Sequence, residues 1–462
     1  MDRQETVKTL LNTTCFKTYP ECAEIAKGPK KLSSVAMVII RIFAAFLLLL
    51  GIIQFYIGFN SISIYVSAVA VVIASLIIVI LSRKNALTLL LSVMICFANY
   101  SAIVANYHPS FSGFETEYAG THIAHIGTLV LLVFVSSILL FFPKHLVAVE
   151  GSFFSRFPKP RSPSLFLLIT VIMLLIIWIT CSSGFTRVGS RAWNNEIYEY
   201  AYLLFLLAIY FGGKNRLCRI IIIMLAALYV SQALLGGNRA AILAIILLFF
   251  AIYFSKKITF VQMLSFLMGG FIIFMIFGAY RVFPHASISD IPQILVTLAN
   301  KFFVWDTAAY AYHQSLCYID VLEHISNNEH FYLVQQWLAS IFLGGSIVPD
   351  SRLAVYAASS TTGMGGGFLP FYGFFYFGLI GIITSGLVVS VSFDAIGFLF
   401  RSSSIMYSFL SLCVFSTCMR WYLYSPAPLT RGILLAIFLY AGVFFFVLPG
   451  FSSRSIHIYN RL

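Results

Sequence analysis

The chain has 462 residues, of which 60% are hydrophobic and only 10% are charged, and its mean hydropathy is +0.94. A soluble domain carries about 25% charged residues, so this composition excludes a soluble globular protein and indicates a polytopic membrane protein. The net charge of +13 does not indicate a nucleic-acid partner, because the long apolar stretches leave no basic soluble face.

Twelve hydrophobic segments have roughly the length that crosses a hydrocarbon core of about 30 Å, although a few are shorter. The polar residues 1–33 precede them, and five lysines in this lead indicate a cytoplasmic segment rather than a signal peptide. The pattern predicts an all-α membrane protein with about 12 transmembrane helices. The segments cover 34–58, 61–82, 86–106, 123–142, 163–183, 200–213, 219–235, 240–255, 258–280, 368–398, 404–424 and 429–449.

The distribution of Lys and Arg predicts the orientation, since cytoplasmic loops carry the excess of these residues. With the lead inside, 20 of the 29 cations fall in inside loops, seven fall outside and two lie within segments. Both termini are therefore expected in the cytoplasm. The domain organisation is a lead (1–33), helices 1–9 (34–280), a large outer loop (281–367), helices 10–12 (368–449) and a tail (450–462).

The outer loop of 87 residues is far longer than an ordinary connection, so we expect it to be a folded, functional unit. Apolar residues recur at helical spacing in 291–303 and 331–342. This spacing predicts two or three amphipathic helices that lie on the outer leaflet over the ends of the spans.

The outer side also concentrates the polar residues. Seven of the nine histidines and ten of the sixteen acids lie there, whereas the middle of the spans is almost free of charge. This distribution favours chemistry at the outer face over an ion relay through the bilayer. The outer cations are six Arg and one Lys, against nine Arg and eleven Lys inside. Because the guanidinium fork matches pairs of phosphate oxygens, the preference for Arg predicts a phosphorylated or diphosphorylated lipid ligand.

Three arginines occupy suggestive places. Arg239 follows the turn 236–238 at an expected helix start, where free N–H groups favour an anion. Arg420 lies within an apolar run, and Arg431 opens the last segment across a short turn, so the two are positioned to flank one site. Alternatively, each arginine anchors a helix end to lipid headgroups or pairs with one of the outer acids.

The motifs of other enzyme classes are missing from the sequence. There is no D-x-D, H-E-x-x-H or G-x-S-x-G, and the Gly-rich stretch 361–367 lacks the G-x-x-x-x-G-K-[ST] pattern of nucleotide-binding loops. This stretch is either a loop that passes close to a glycan or lipid, or a re-entrant turn. The aromatic run 368–377 either lines a prenyl groove or packs between helices.

Asp306 and His313 are candidates for a general base. They are seven residues apart in a helical pattern, which places them two turns along one face. A base there could deprotonate a sugar hydroxyl. The alternative is a helix cap at Asp306 and an interfacial histidine at His313.

Several short motifs together resemble a known family. The segment GGNRAAILAIIL (236–247) is similar to the corresponding segment of the Wzy-type O-antigen polymerases and of the related enterobacterial common antigen polymerase. Other motifs follow in the order of comparable family features, mainly in the second half of the chain. They are Gly189-Ser190-Arg191, Tyr280-Arg281, Asp306-Thr307, Pro349-Asp350-Ser351-Arg352, the Gly-rich stretch, and the pair Arg420 and Arg431.

The resemblance implies a GT-C-type glycosyltransferase of the bacterial inner membrane, independent of metals and cofactors, with its active site facing the periplasm. Its substrate would be an undecaprenyl diphosphate-linked oligosaccharide in the bilayer, polymerised by block transfer, and its partners a chain-length regulator and a flippase. The expected diphosphate ligands are Arg191, Arg239, Arg281, Arg420 and Arg431, with Arg352 more peripheral, and the expected base is Asp306 or His313.

Two other functions remain open at this stage. A flippase for the same lipid would share the span count and the preference for arginine, but it is expected to show two related halves and charged residues at midspan. An O-antigen ligase would depend on a histidine in the large loop, such as His313 or His330.

Overall fold

The computed structural model describes most of the chain, and in the described part every regular element is helical. The described residues are 34–58, 61–107, 117–144, 146, 162–181, 200–212, 215–235, 239–254, 259, 261–270, 272, 292–293, 296, 304, 306–343, 347–348, 351–359, 361, 365–398 and 405–447. The chain divides into two compact units, Met1–Phe43 and Ala44–Leu462, of which the first contributes the beginning of one helix to the described part.

Sixteen helices are numbered here in chain order. They are α1 (Ser34–Ile57), α2 (Ser61–Ser82), α3 (Ala86–Tyr107), α4 (His122–Leu140), α5 (Pro163–Cys181), α6 (Ala201–Gly212), α7 (Arg216–Leu235), α8 (Arg239–Phe249, extended by a π turn to Phe254), α9 (Val261–Gly270), α10 (Asp306–His324), α11 (Asn327–Leu343), α12 (Leu353–Ala358), α13 (Leu369–Phe398), α14 (Ile405–Ser416), α15 (Cys418–Leu423) and α16 (Ala427–Val447).

Six of these helices are long and apolar enough to cross a membrane, namely α1, α2, α3, α4, α7 and α13. A further six are apolar but shorter, with 10–17 residues in the described part. Each of the twelve hydrophobic segments therefore contains an apolar helix. A membrane environment follows from these helices, whereas the number of complete spans stays a prediction.

Helix α4 lies at the centre of the bundle. From Gly127 to Leu139 every residue is buried, and the helix packs against α2, α10 and α13. Gly127 is required by the packing, because a Cβ atom there would lie 2.7 Å from the hydroxyl oxygen of Tyr312. The small residue lets the polar helix α10 approach α4 closely.

Helix α10 belongs to the expected outer loop but lies inside the bundle, whereas most of 291–303, one of the two stretches expected to lie on the membrane surface, is outside the described residues. Residues 311–319 of α10 are all buried, and the helix packs against α3, α4 and α13. Some of its buried polar groups are paired: Ser315 donates to the carbonyl of Ala311 at 2.7 Å, and Asn106 of α3 donates to the Tyr312 hydroxyl at 2.7 Å. The buried amide of Gln314, in contrast, makes no hydrogen bond with the described residues. Helix α11 fits the expectation better, since Phe331, Leu338 and Phe342 are exposed on it.

Helix α13 is not the single straight span that residues 368–398 predict. Gly378 has φ 59° and ψ −143°, a conformation open to glycine, and it separates an arm at 369–377 from an arm at 379–398. A Cβ atom on either Gly373 or Gly381 would collide with the backbone of the other residue. Because residues eight apart in a straight helix are separated by about 12 Å, this approach shows that the chain folds back at Gly378.

Candidate functional site

Helix α15 carries Arg420 on a rigid support. Its neighbours Trp421 and Tyr422 are fully buried, the indole of Trp421 donates to the carbonyl of Val414 at 3.0 Å, and the Tyr422 hydroxyl donates to Asn99 at 2.8 Å. Arg420 itself is half-buried. The two bonds fix the rotation of this short helix, and with it the direction in which Arg420 leaves the backbone.

Arg431 is the fifth residue of α16, the helix that follows the turn after α15. Its Nη2 donates to the backbone carbonyl of Ser340 in α11 at 3.0 Å, while its Nε is buried and has no hydrogen-bond partner among the described residues. In the described part of the chain Arg431 also pairs with no carboxylate. A backbone carbonyl is neutral, so this bond leaves the positive charge of the half-buried guanidinium unbalanced and able to attract an anion.

The end of the Gly-rich stretch connects this turn to α10. The N–H of Gly367 donates to the carbonyl of Tyr424 at 3.3 Å, and the N–H of Phe368 donates to the hydroxyl of Ser315 at 2.8 Å. A Cβ atom on Gly366 would collide with the backbone of Tyr424. The glycines therefore permit close contact between the turn after Arg420 and the helix that carries His313.

His313 lies in the middle of α10, with only 6% of its surface exposed. Its Nε2 is 3.9 Å from Sγ of Cys317, and its ring centroid is 5.6 Å from that of Tyr118. Burial lowers the pKa of His313 below its ordinary value of 6.5, and the charge of Glu117 opposes this shift. The imidazole is therefore neutral at neutral pH, which is the form that accepts a proton.

Tyr118 and Asp320 belong to the same cluster, although the sequence reasoning did not single them out. The Tyr118 hydroxyl donates to Oδ2 of Asp320 at 2.7 Å. Burial raises the pKa of Tyr118, and the bond to Asp320 raises it further. Their separation of 202 positions in the sequence hides this pairing from any local pattern.

The other expected site residues are placed less completely. Asp306 begins α10, so it shares a helix with His313 as predicted, but its side chain lies outside the described residues. Arg239 begins α8, which packs against α14 and α15, and its side chain is likewise outside them. Arg352 is exposed at the start of α12, which packs on α10. Arg191 and Arg281 lie outside the described residues.

The aromatic run at 368–377 packs between helices rather than lining a groove. Phe371, Tyr372, Phe375 and Tyr376 are buried, and the ring of Tyr376 stacks on Trp337 of α11 with a centroid separation of 4.9 Å. His330 of α11 lies with Nε2 2.6 Å from the carbonyl oxygen of Phe375. This contact gives His330 a partner within the fold, and His313 stays the candidate base.

One further side chain near the arginines was missed by sequence reasoning. The hydroxyl of Tyr202 in α6 faces Gly432, the residue after Arg431, and lies within electrostatic range of Arg420. Nothing in the local sequence distinguishes this tyrosine from the other 24.

Among the residues that the structure describes, no three His, Cys, Asp or Glu side chains lie close enough together to hold a metal ion. Comparison with known proteins found no matching family model, no matching curated protein and no matching solved structure.

Proposed function

We propose that this protein is a metal-independent membrane glycosyltransferase that joins undecaprenyl diphosphate-linked oligosaccharide repeat units into O-antigen or a related surface polysaccharide. The observation that carries the proposal is the half-buried guanidinium of Arg431, which no described carboxylate neutralises. Arg431 lies in α16, and only the short turn 424–426 separates this helix from α15, which carries Arg420. A guanidinium that no described carboxylate neutralises, such as that of Arg431, suits an anionic diphosphate leaving group.

The chemistry requires an acid–base group as well as cations. A hydroxyl of one lipid-linked repeat unit attacks C1 of the sugar chain on a second carrier, and a new C1–O bond forms as the bond from C1 to the diphosphate oxygen breaks. The diphosphate leaves with the electron pair, and the hydroxyl proton passes to the base. Neutral His313 is our candidate for that base, and the Gly-rich contacts join its helix to the turn after Arg420.

The proposal includes a location and an orientation. The protein lies in the bacterial inner membrane as a GT-C-like fold with about 12 spans, with both termini in the cytoplasm and the site facing the periplasm. The excess of Lys and Arg in alternate loops supports this orientation.

The test uses the purified full chain with lipid-linked repeat units, in buffer that contains EDTA and no nucleotide. A ladder of chain lengths on a gel is the expected product. Repeat units that stay single would overturn the polymerase assignment. Transfer that occurs only after a lipid A core acceptor is added would identify a ligase instead, and movement of the lipid between leaflets without new glycosidic bonds would identify a flippase.

A further inference from the structure

The turn before α4 places the ring of Tyr118 against His313. The two ring centroids are 5.6 Å apart, and only 8% of Tyr118 and 6% of His313 is exposed. The backbone of Tyr118 is fixed, because the N–H and the hydroxyl of Thr121 donate to its carbonyl at 3.0 and 2.7 Å. Thr121 is also the N-cap of α4, since its side chain accepts from the N–H of Ala124. The central helix of the bundle therefore holds the backbone of Tyr118 beside the candidate base.

The other end of Tyr118 is fixed by α10 itself. The Tyr118 hydroxyl donates to Oδ2 of Asp320 at 2.7 Å, and Asp320 lies seven residues after His313, two turns further along the same face. A second contact joins the same two parts of the chain, because Nδ1 of His122 at the start of α4 is 3.5 Å from Oε1 of Glu323. A hydrogen bond to a carboxylate is stronger than one between neutral groups, so the Tyr118 ring has little freedom to turn away from His313.

We infer that Tyr118 is a positioning residue for His313: its ring holds the imidazole in one orientation and shields it from water, and Asp320 holds the ring in place. This inference rests on the proposed function and adds a residue that acts through the base. Orientation matters because a base must keep a nitrogen within hydrogen-bond reach of the attacking hydroxyl. Shielding matters because it disfavours the charged form of the imidazole, so the base stays neutral to lower pH.

The ionisable groups around His313 are consistent with this role. On α10, Sγ of Cys317 is 3.9 Å from Nε2 of His313, and burial raises the pKa of this thiol, so it stays uncharged at neutral pH. The carboxylate of Glu117, beside Tyr118, favours protonated His313, but burial opposes it and has the larger effect on the pKa. Loss of the Tyr118 ring should therefore raise the pKa of His313. Further ionisable side chains on the helices packed against α10 include Tyr107 of α3, His125 of α4, Arg352 before α12 and Tyr372 of α13.

Titration of His313 in the full chain tests the shielding without any measurement of activity. Histidines labelled with ¹³C are followed by NMR in phosphatidylcholine nanodiscs, and the signal of His313 is assigned by its loss in His313→Gln. We expect Tyr118→Ala to raise the pKa of His313 towards about 6.5, and Tyr118→Phe, which keeps the ring, to leave it unchanged. The control is Tyr56→Ala at an exposed site of α1, which should also leave it unchanged.

The rate of polymerisation, expressed per folded protein, tests the bond to Asp320. Tyr118→Phe and Asp320→Ala should each be about tenfold slower, which is less than the roughly 100-fold effect of a full 1 Å displacement. The double variant should be no slower than either single one. Asp320→Asn keeps an oxygen that accepts the bond, so it should recover most of the rate. Tyr118→Ala should in addition move the acid limb of the pH–rate profile to higher pH, which a loss of folded protein alone would not do.

The outcomes separate this inference from the proposed function. An unchanged pKa of His313 in Tyr118→Ala, or natural rates in both Tyr118→Phe and Asp320→Ala, would overturn the role of Tyr118 and leave the polymerase standing. If the natural protein forms no polymer while Tyr118→Ala still raises the pKa of His313, the proposed function fails and the shielding by Tyr118 stands without it.

Discussion

The hydroxyl of Tyr422 donates to Oδ1 of Asn99 at 2.8 Å, and the amide of Asn99 donates to the hydroxyl of Ser75 at 3.1 Å. These buried bonds attach the helix of Arg420 to α2 and α3. We expect Asn99→Ala and Tyr422→Phe each to lower the free energy of unfolding by about 0.5–2 kcal/mol, a typical range for such bonds in membranes. The double variant should lose less than the sum of the two. Unfolding in detergent measures this, with the exposed Tyr56→Phe as the control.

Arg420→Lys and Arg431→Lys keep the positive charge but remove the planar fork. We expect each to lower the rate of polymerisation about 10- to 100-fold, because an ammonium group cannot bind two diphosphate oxygens in the same geometry. Chain-length analysis of the surface polysaccharide should show single repeat units in place of a ladder, at unchanged protein level. Arg216→Lys, at the exposed start of α7, is the control. A normal ladder in both variants would refute the assignment of the diphosphate site.

His313→Gln tests the base. Because burial lowers the pKa of His313 from 6.5, the neutral form persists to lower pH than in a solvent-exposed histidine. The rate of the natural protein should therefore rise with pH and reach its plateau below about pH 6.5. We expect His313→Gln to be about 100- to 10,000-fold slower and to lose this dependence on pH. Retention of the acid limb at a reduced rate would assign the base to another residue.

The same histidine also predicts how stability depends on pH. A pKa that is lower in the folded state than in the unfolded state means that the unfolded chain binds more protons, so stability falls as pH falls. The loss should begin near the ordinary value of 6.5 and continue down to the lowered pKa of the folded protein. Melting temperatures from pH 7.5 to pH 5 should show a smaller decline in His313→Gln than in the natural protein. Identical declines would mean that the pKa of His313 is the same in the folded and the unfolded state.

The reversal at Gly378 depends on close contact between two glycines. Gly381→Ala should lower the free energy of unfolding by about 1–3 kcal/mol, since its methyl group collides with the backbone of Gly373. Gly442→Ala is the matched control in α16, because a Cβ atom there meets nothing within 4 Å and alanine favours the helix. Equal melting temperatures for the two variants would show that the arms are further apart than described here.

Much of the helical fold was predictable from the sequence because the apolar segments are long and the loops between them carry the cations. The position of α10 was not, since its Ser, Gln, His and Tyr residues resemble those of a surface helix. What buries it is a set of partners distant in sequence, such as Asn106 for Tyr312 and the N–H of Phe368 for Ser315. Hydrophobic periodicity carries no information about such pairs.

In the candidate site too, some residues could be singled out from the sequence and others depend on tertiary packing. Arg420 and Arg431 could be singled out from the sequence because an arginine in or beside an apolar run is costly and thus informative, and their role at a diphosphate site stays a prediction. His313 was proposed from its spacing to Asp306, whereas its burial depends on tertiary packing. Asp320 could not be found, because its hydrogen bond with Tyr118 depends on where a single oxygen lies relative to another part of the chain.

The bond between Asn99 and Tyr422 can form only after both residues have been synthesised, which limits the order of assembly. The two residues are 323 positions apart, so at roughly 5–20 residues per second the ribosome delivers Tyr422 about 15–65 seconds after Asn99. During this interval α3 is already made, with its asparagine amide bound to Ser75 of the preceding helix and its carbonyl oxygen still waiting for its final partner. The pairing of α2 with α3 can thus form early and keep a polar side chain tolerable in lipid, while α15, which carries Arg420, can join them only later.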